Sequence, residues 1–393
     1  MRWIIALCLT VATSASVCGQ WVGPLSRDVN GFAMGAYARL AEAGDNFVFS
    51  PLSLNFAMRM VEEGACSSTV AEMAAVLNPA EGAEQIGGNV RRYQASLNGN
   101  GACELTVANS VWVAKGYGLL PAFVDTLKLC YGAACGQLNF ATRRACRQAC
   151  AEVNRWVAGQ TDGKITNLLN DNMLNANTRM VLINAINFKC QWLNKFKPKN
   201  SKGKDFYSID GSTKNITFMS QTGDFDYCET ADFKAIELPY EGGRFSMLIV
   251  MPVDGQFGKF ESGLTSDFVS CVVDSLDNEH VALSMPKFNA SSSVDFGQIL
   301  KAMGMVEAFG GAADFSGMSG KQDLQLSKVV QKTVVEVDES GTEAASATAA
   351  TMMVKSAYFP KTKHFDIDHP FVYFIRDTQT NIILFAGRYV KAQ

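Results

Sequence analysis

Apolar residues at helical spacing crowd the first half of the chain, and β-branched alternating runs fill the second. That order predicts an α+β protein. A length of 393 residues would allow two or three domains. No proline-, glycine- or serine-rich linker and no repeat of fixed period divides the sequence, so a single large domain is expected. Hydrophobic residues make up 48% and charged residues 19%, which excludes a disordered chain. The net charge of -3 gives no reason to expect nucleic acid or an anionic membrane as a partner.

Arg2 precedes the apolar run 3–12, which passes into small residues. This is the layout of a secretory signal peptide over 1–19, leaving 20–393 as an exported, secreted domain. Cleavage after Gly19 and cleavage after Ser16 both fit. No later apolar run is long enough to span a bilayer.

Ser50-Pro51 reads as a helix start, with Leu54, Ala57, Met58 and Val61 on one face and Gly64 as its end. Residues 69–77 repeat the pattern. The run Leu105–Val113 alternates and reads as a strand, and a helix follows near Arg147–Val157. Met180–Phe188 is apolar on both faces, a buried strand in which Asn184 needs a partner. Ala235–Leu238 and Phe245–Met251 flank a turn at 241–244 and form a hairpin. Val281–Met285, Val329–Val337, Val372–Arg376 and Ile382–Ala386 are further strands, with a helix at Phe296–Met303 between them.

The 11 cysteines suit an oxidising compartment, but their spacing fixes no pairing. Cys146 and Cys150 share a helix face with no histidine near, so no metal is expected. Asn215 and Asn289 open glycosylation sequons. Five lysines between 195 and 204 read as a solvated loop.

Residues 341–350 after Gly341 are almost entirely small, lack proline and follow a strong strand. Taken alone they would suit a flexible linker or an alanine-rich helix. They lead instead into Met352-Met353-Val354-Lys355-Ser356, and a loop of this length inside one domain is normally functional. The whole mature chain resembles the serpin family. The resemblance rests on Asn46–Leu54, Ala108–Trp112, Thr161–Ile165, Asn184–Lys189 with Trp192, Glu237–Tyr240, Ala313–Met318 and His369–Phe371 with Gly387-Arg388.

The resemblance implies a large, mainly antiparallel central sheet, two smaller sheets, about nine helices and an exposed reactive loop over about 339–360. It also implies an inhibitor rather than an enzyme. A serine protease attacks the loop, forms an acyl-enzyme and is dragged away as the cut loop enters the sheet. By the family's spacing the reactive bond is Lys355-Ser356, which makes trypsin-like proteases the expected partners of a monomeric inhibitor. Cleavage after Met352 or Met353 would suit an elastase- or chymotrypsin-like protease. The hinge is Glu339, Gly341, Thr342, Ala344, Ala345, Ser346, Ala347 and Thr348. Its alternate members from Thr342 are small and uncharged, as entry into a sheet requires.

Ser53, Asn184 and Gln331 match the cluster that gates sheet opening, and Trp192 matches the point where the loop enters. Gln331 stands where the family commonly has histidine, which puts the opening threshold in question. Cys190 and Ser67 replace usual glycines, and Cys190 falls close to the insertion gap, which leaves open whether a disulfide there would hinder opening. No cofactor is required. Arg91-Arg92 and Arg143-Arg144 with Arg147 offer weak support for glycosaminoglycan activation, and solvated helix faces explain them more simply. The alternative is a non-inhibitory serpin acting as carrier, chaperone or storage protein, whose hinge would usually hold bulky, charged or proline residues.

Overall fold

The computed structural model describes residues 23–77, 86–97, 103–342 and 361–393. The leader and most of the reactive loop therefore lie outside the described residues. The chain opens with helix α1 (23–41), which buries Val29, Phe32 and Tyr37. It continues through β1 (Phe47–Phe49), α2 (Pro51–Glu62), α3 (Ser67–Leu77), α4 (Ile86–Leu97), β2 (Cys103–Ala114), α5 (Pro121–Tyr131), β3 (Ala134–Leu138), α6 (Arg143–Gln160) and β4 (Met180–Gln191). Strands then dominate: β5 (Lys202–Tyr207), β6 (Thr213–Glu229), β7 (Phe233–Pro239) and β8 (Phe245–Pro252). Helices α7 (Phe257–Ser262) and α8 (Ser266–Asp274) precede β9 (Asp277–Pro286), β10 (Phe288–Asp295), α9 (Gly297–Ala302) and α10 (Ser316–Ser319). The chain closes with β11 (Leu326–Val337), β12 (Gly341–Thr342), β13 (Lys363–Asp366), β14 (Phe371–Asp377) and β15 (Ile382–Tyr389).

The expected central sheet is present, in the order β10-β11-β12-β4-β2-β3. It is mixed, because β4 runs parallel to β11 and β2 runs parallel to β3. The strands expected as two smaller sheets are joined into one hydrogen-bonded set, since β6 pairs with β5 and β9 along most of its length and with β7 at its end.

Strand β4 explains how the layers stack. Met180, Leu182, Ile186 and Phe188 face the main core, while Val181, Ile183 and Ala185 pack in a second cluster beneath α6. Period-2 alternation on a strand buried on both faces produces this division. Phe188 crosses the main core to reach Tyr240, Phe245 and Phe385, at ring-centroid distances of 5.2, 5.7 and 5.7 Å. On the other face, Cys146, Ala149, Cys150, Val153 and Val157 seat α6 on the sheet.

Three expectations shift. Helix α6 starts at Arg143 because Thr142 caps it, its hydroxyl accepting from the Ala145 amide at 3.2 Å. The end of the lysine-rich stretch, expected as a solvated loop, is the edge strand β5, with Lys202 exposed and Lys204 half-buried. The long strand β6 gives little apolar signal, because half of its side chains meet solvent.

Glu237 on β7 and Arg376 on β14 form a buried two-pronged pair, Nε to Oε1 at 2.6 Å and Nη2 to Oε2 at 2.9 Å. Removing one side leaves the other charge unpaired in the core, at a cost of about 3 kcal/mol. Glu237→Ala should therefore lower the thermal midpoint by several degrees, whereas Glu152→Ala, exposed on α6, should leave it unchanged.

Candidate functional site

The hinge begins where β11 turns back on itself. Asp338 closes the turn: its Oδ1 accepts from the amides of Ser340 at 2.8 Å and Gly341 at 3.2 Å. Its amide donates to the Gly341 carbonyl at 2.9 Å. Gly341 has φ 151°, and a Cβ there would lie 2.2 Å from the Cys190 carbonyl oxygen and 2.5 Å from Gln191 Cα. Only glycine fits. The chain then forms β12, in which Thr342 pairs with Val337 of β11 on one side and Cys190 of β4 on the other. Both pairings are antiparallel. The first two residues of a new strand thus already sit between two parallel strands.

Side chains hold this seat. Thr342 is fully buried, and its Oγ1 lies 2.7 Å from the Tyr240 hydroxyl. Tyr240 stacks on Trp192 with ring centroids 4.5 Å apart and ring planes nearly parallel. The Trp192 ring N–H donates to the Asp338 carbonyl and its amide donates to the Ser340 carbonyl, both at 2.9 Å. Glu339 accepts from Ser201 Oγ at 2.7 Å and Lys287 Nζ at 2.9 Å. Burial by itself would raise the Glu339 carboxyl; the hydrogen bonds from Lys287 and Ser201 outweigh it and hold the group below its usual value.

Lower in the sheet lies the gate. Asn184 of β4 and Gln331 of β11 face each other in register. Gln331 uses its whole amide. Its oxygen accepts from the Ser50 amide at 2.9 Å and Thr333 Oγ1 at 3.2 Å. Its nitrogen donates to the Ser50 carbonyl at 2.9 Å and Asn184 Oδ1 at 2.6 Å. Asn184 donates in turn to Ser53 Oγ and to Asn109 Oδ1. All six residues are buried. Glutamine thus completes the cluster as a neutral, fully bonded group, and the Asn184–Gln331 pair ties β4 to β11.

The disulfide lies beside the seam and not across it. Cys190 pairs with Cys103, and their Cα atoms are 4.4 Å apart across β4 and β2. The bond lies on one side of the β4–β11 seam and does not cross it, so it does not lock the gap shut. Among the described residues the other seven cysteines are free. Burial pushes the Cys150 thiol up to about 11, which suits a structural side chain rather than a nucleophile. Ser67 takes φ 53° in place of a glycine, and its hydroxyl donates to Asp314 at 2.7 Å.

The structure brings Ser53, Asn184 and Gln331 together at the gate, and Trp192, Glu339, Gly341 and Thr342 at the seat. Ala344, Ala345, Ser346, Ala347, Thr348, Lys355 and Ser356 lie outside the described residues. Asn215 and Asn289 are exposed but sit within strands, their amides donating to Asp205 and Glu336. Arg91 and Arg92 lie exposed on α4, and Arg143, Arg144 and Arg147 on α6. Sequence reasoning missed Ser50, Asn109, Ser201, Tyr240 and Lys287 as members of the site. Tyr240 carried one signal, standing at the end of Glu237-Leu238-Pro239-Tyr240.

Comparison with known proteins bears on the chain as a whole. A family model described as "Serpin (serine protease inhibitor)" matches residues 27–392. The bovine leukocyte elastase inhibitor is 38% identical over 370 residues, covering 91% of this chain and 96% of the relative. Serpin48 of the insect Tenebrio molitor superposes with a TM-score of 0.84 at 31% identity, covering 94% of this chain and 98% of that one. Human thyroxine-binding globulin superposes with a TM-score of 0.85 at 29% identity, covering 94% and 99%.

The gate residues named above contain no titrating group. Gln331→His would add one. Burial disfavours the imidazolium, so the folded pKa would lie below that of the unfolded chain. Stability would then be lost as pH falls below about 6.5, where the unfolded chain binds the proton more readily. The thermal midpoint of the variant, relative to wild type, should fall between about pH 8 and about pH 5.5. An equal response of the two proteins would mean that residue 331 is not held in the buried seam.

Proposed function

Since the chain belongs to the serpin family, we propose that it is a secreted suicide inhibitor of serine proteases with trypsin-like specificity. The observation that carries the reading is the seating of Gly341 and Thr342 between β11 and β4. Continued in the same direction, the small residues from Ala344 to Thr348 would lengthen β12 and place alternate side chains in the core.

The chemistry belongs to the protease. Its serine oxygen attacks the Lys355 carbonyl carbon, the Lys355-Ser356 peptide bond breaks, and the Ser356 amine leaves with a proton. An ester now joins Lys355 to the enzyme. The freed loop zips into the seam behind Thr342. Lys355 is fourteen residues beyond Gly341, so full insertion carries the ester roughly 45–50 Å. Trapping requires insertion to outrun hydrolysis. Small hinge side chains and a pre-seated first pair both favour insertion. A lysine before the cut bond favours enzymes whose specificity pocket holds a carboxylate. Export is supported by the apolar run behind Arg2 and by the Cys103–Cys190 disulfide, which suits an oxidising compartment.

The family also contains carriers, and the similarity to thyroxine-binding globulin keeps that reading as the alternative. Hinge composition favours the inhibitor.

Mixing with trypsin tests the proposal. Wild type should give a covalent complex that survives denaturing gel electrophoresis. Lys355→Ala should neither be cut at that bond nor trap trypsin. Thr342→Arg would bury an unpaired guanidinium beside Tyr240, so insertion should stall and the variant should be consumed as a substrate, leaving active protease. Cleavage of wild type without any complex would overturn the inhibitory reading.

A further inference from the structure

Val337, Thr342, Cys190 and Cys103 form one row across four adjacent strands, β11, β12, β4 and β2. The seat of the first inserted residue is therefore walled by the strand end that carries the disulfide. Thr342 is 0% exposed and Cys190 1%. The same bond also borders the floor of the seat: Cys103 Sγ and Cys190 Sγ lie 3.5 and 4.0 Å from the Glu241 carbonyl oxygen. The Glu241 amide donates to the Gln191 carbonyl at 2.7 Å, one residue after the tyrosine that contacts Thr342.

We propose that the Cys103–Cys190 disulfide positions the edge of β4 on which the hinge strand is seeded. Its redox state then sets how firmly Gly341 and Thr342 are held, and how often insertion wins over hydrolysis. The last clause rests on the inhibitory reading above; the rest does not.

The physical reason is the lack of room. Gly341 passes so close to Cys190 and Gln191 that even a Cβ would collide. The β4 edge therefore fixes the path of the hinge. A dithiol reductant supplies two electrons and two protons: the sulfur–sulfur bond breaks, both cysteines become thiols, and the reductant closes to its own disulfide. Two thiol sulfurs cannot remain at the bonding distance of about 2 Å. They must separate by more than an ångström, by turning a side chain or by displacing the end of β4 or of β2. At Cys190, buried beside the hinge, there is little room for either. Cys103 is only partly buried, so a small dithiol can reach it. The oxidised bond keeps the first insertion pair formed, and reduction removes that start.

Amide hydrogen exchange on the full-length protein, with and without dithiothreitol, tests the seat directly. Reduction, or Cys103→Ser, should speed exchange in segments 190–196 and 337–342 on the order of tenfold, with little change around Asn184 and Gln331. Cys271→Ser, which removes an exposed free thiol, should change neither segment. Unchanged exchange at 337–342 after reduction would overturn the proposal. In the trypsin assay, Cys103→Ser should yield more cleaved inhibitor per trapped protease than wild type, and an equal ratio would overturn the functional half. If wild type itself traps nothing, the inhibitory reading fails while the exchange result still decides what the disulfide does.

Discussion

The parallel pairing of β4 with β11 is the constraint on which the rest depends. The two strands pair in parallel from Leu326 with Met180 to Val334 with Asn187. Parallel ladders are slightly less stable per residue than antiparallel ones. A chain leaving β11 through a tight turn must run antiparallel to both strands, as Gly341 and Thr342 already do. Each further residue that follows them replaces one parallel pairing with two antiparallel ones. The folded protein thus holds a sheet that would gain hydrogen bonds by admitting its own loop.

The seat prepares that gain and the gate holds it back. At the top, Trp192, Tyr240, Ser201 and Lys287 keep residues 338–342 seated as the start of a new strand. In the middle, the Asn184–Gln331 bond and its ties to Ser50 and Ser53 clamp the seam. Opening the seam exposes several of these groups without partners, at about 1–3 kcal/mol for each one left unsatisfied in the core. That cost is local, whereas the gain from a full inserted strand is spread along the sheet. On the proposed mechanism, a barrier of this kind would keep the intact protein waiting until a cut frees the loop to move.

Much of this was legible in the sequence. The Ser50-Pro51 helix start appears as a capped α2, the serine hydroxyl accepting from the Ser53 amide. The doubly apolar run at Met180 is the strand shared by both core layers. Asn184's need for a partner and the small side chain at Thr342 were also readable, because burial and side-chain size follow local rules. Pairings between distant residues were not. Cys103 and Cys190 are 87 residues apart and meet only because β2 and β4 share a register. Whether glutamine at 331 would preserve the gate depended on four hydrogen bonds, to Ser50, Asn184 and Thr333, that no spacing reveals. Strand β6 hid for a simpler reason: its exposed half is polar, so the alternation that marks a strand is diluted.

On the proposed mechanism the intact fold stores a more stable arrangement, reached by inserting its own loop. Calorimetry of intact protein and of protein nicked within 343–360 measures the difference. The thermal midpoint of the nicked protein should lie many degrees above that of the intact one. Equal midpoints would contradict it, because they would mean that the β4–β11 seam gains nothing by admitting a strand.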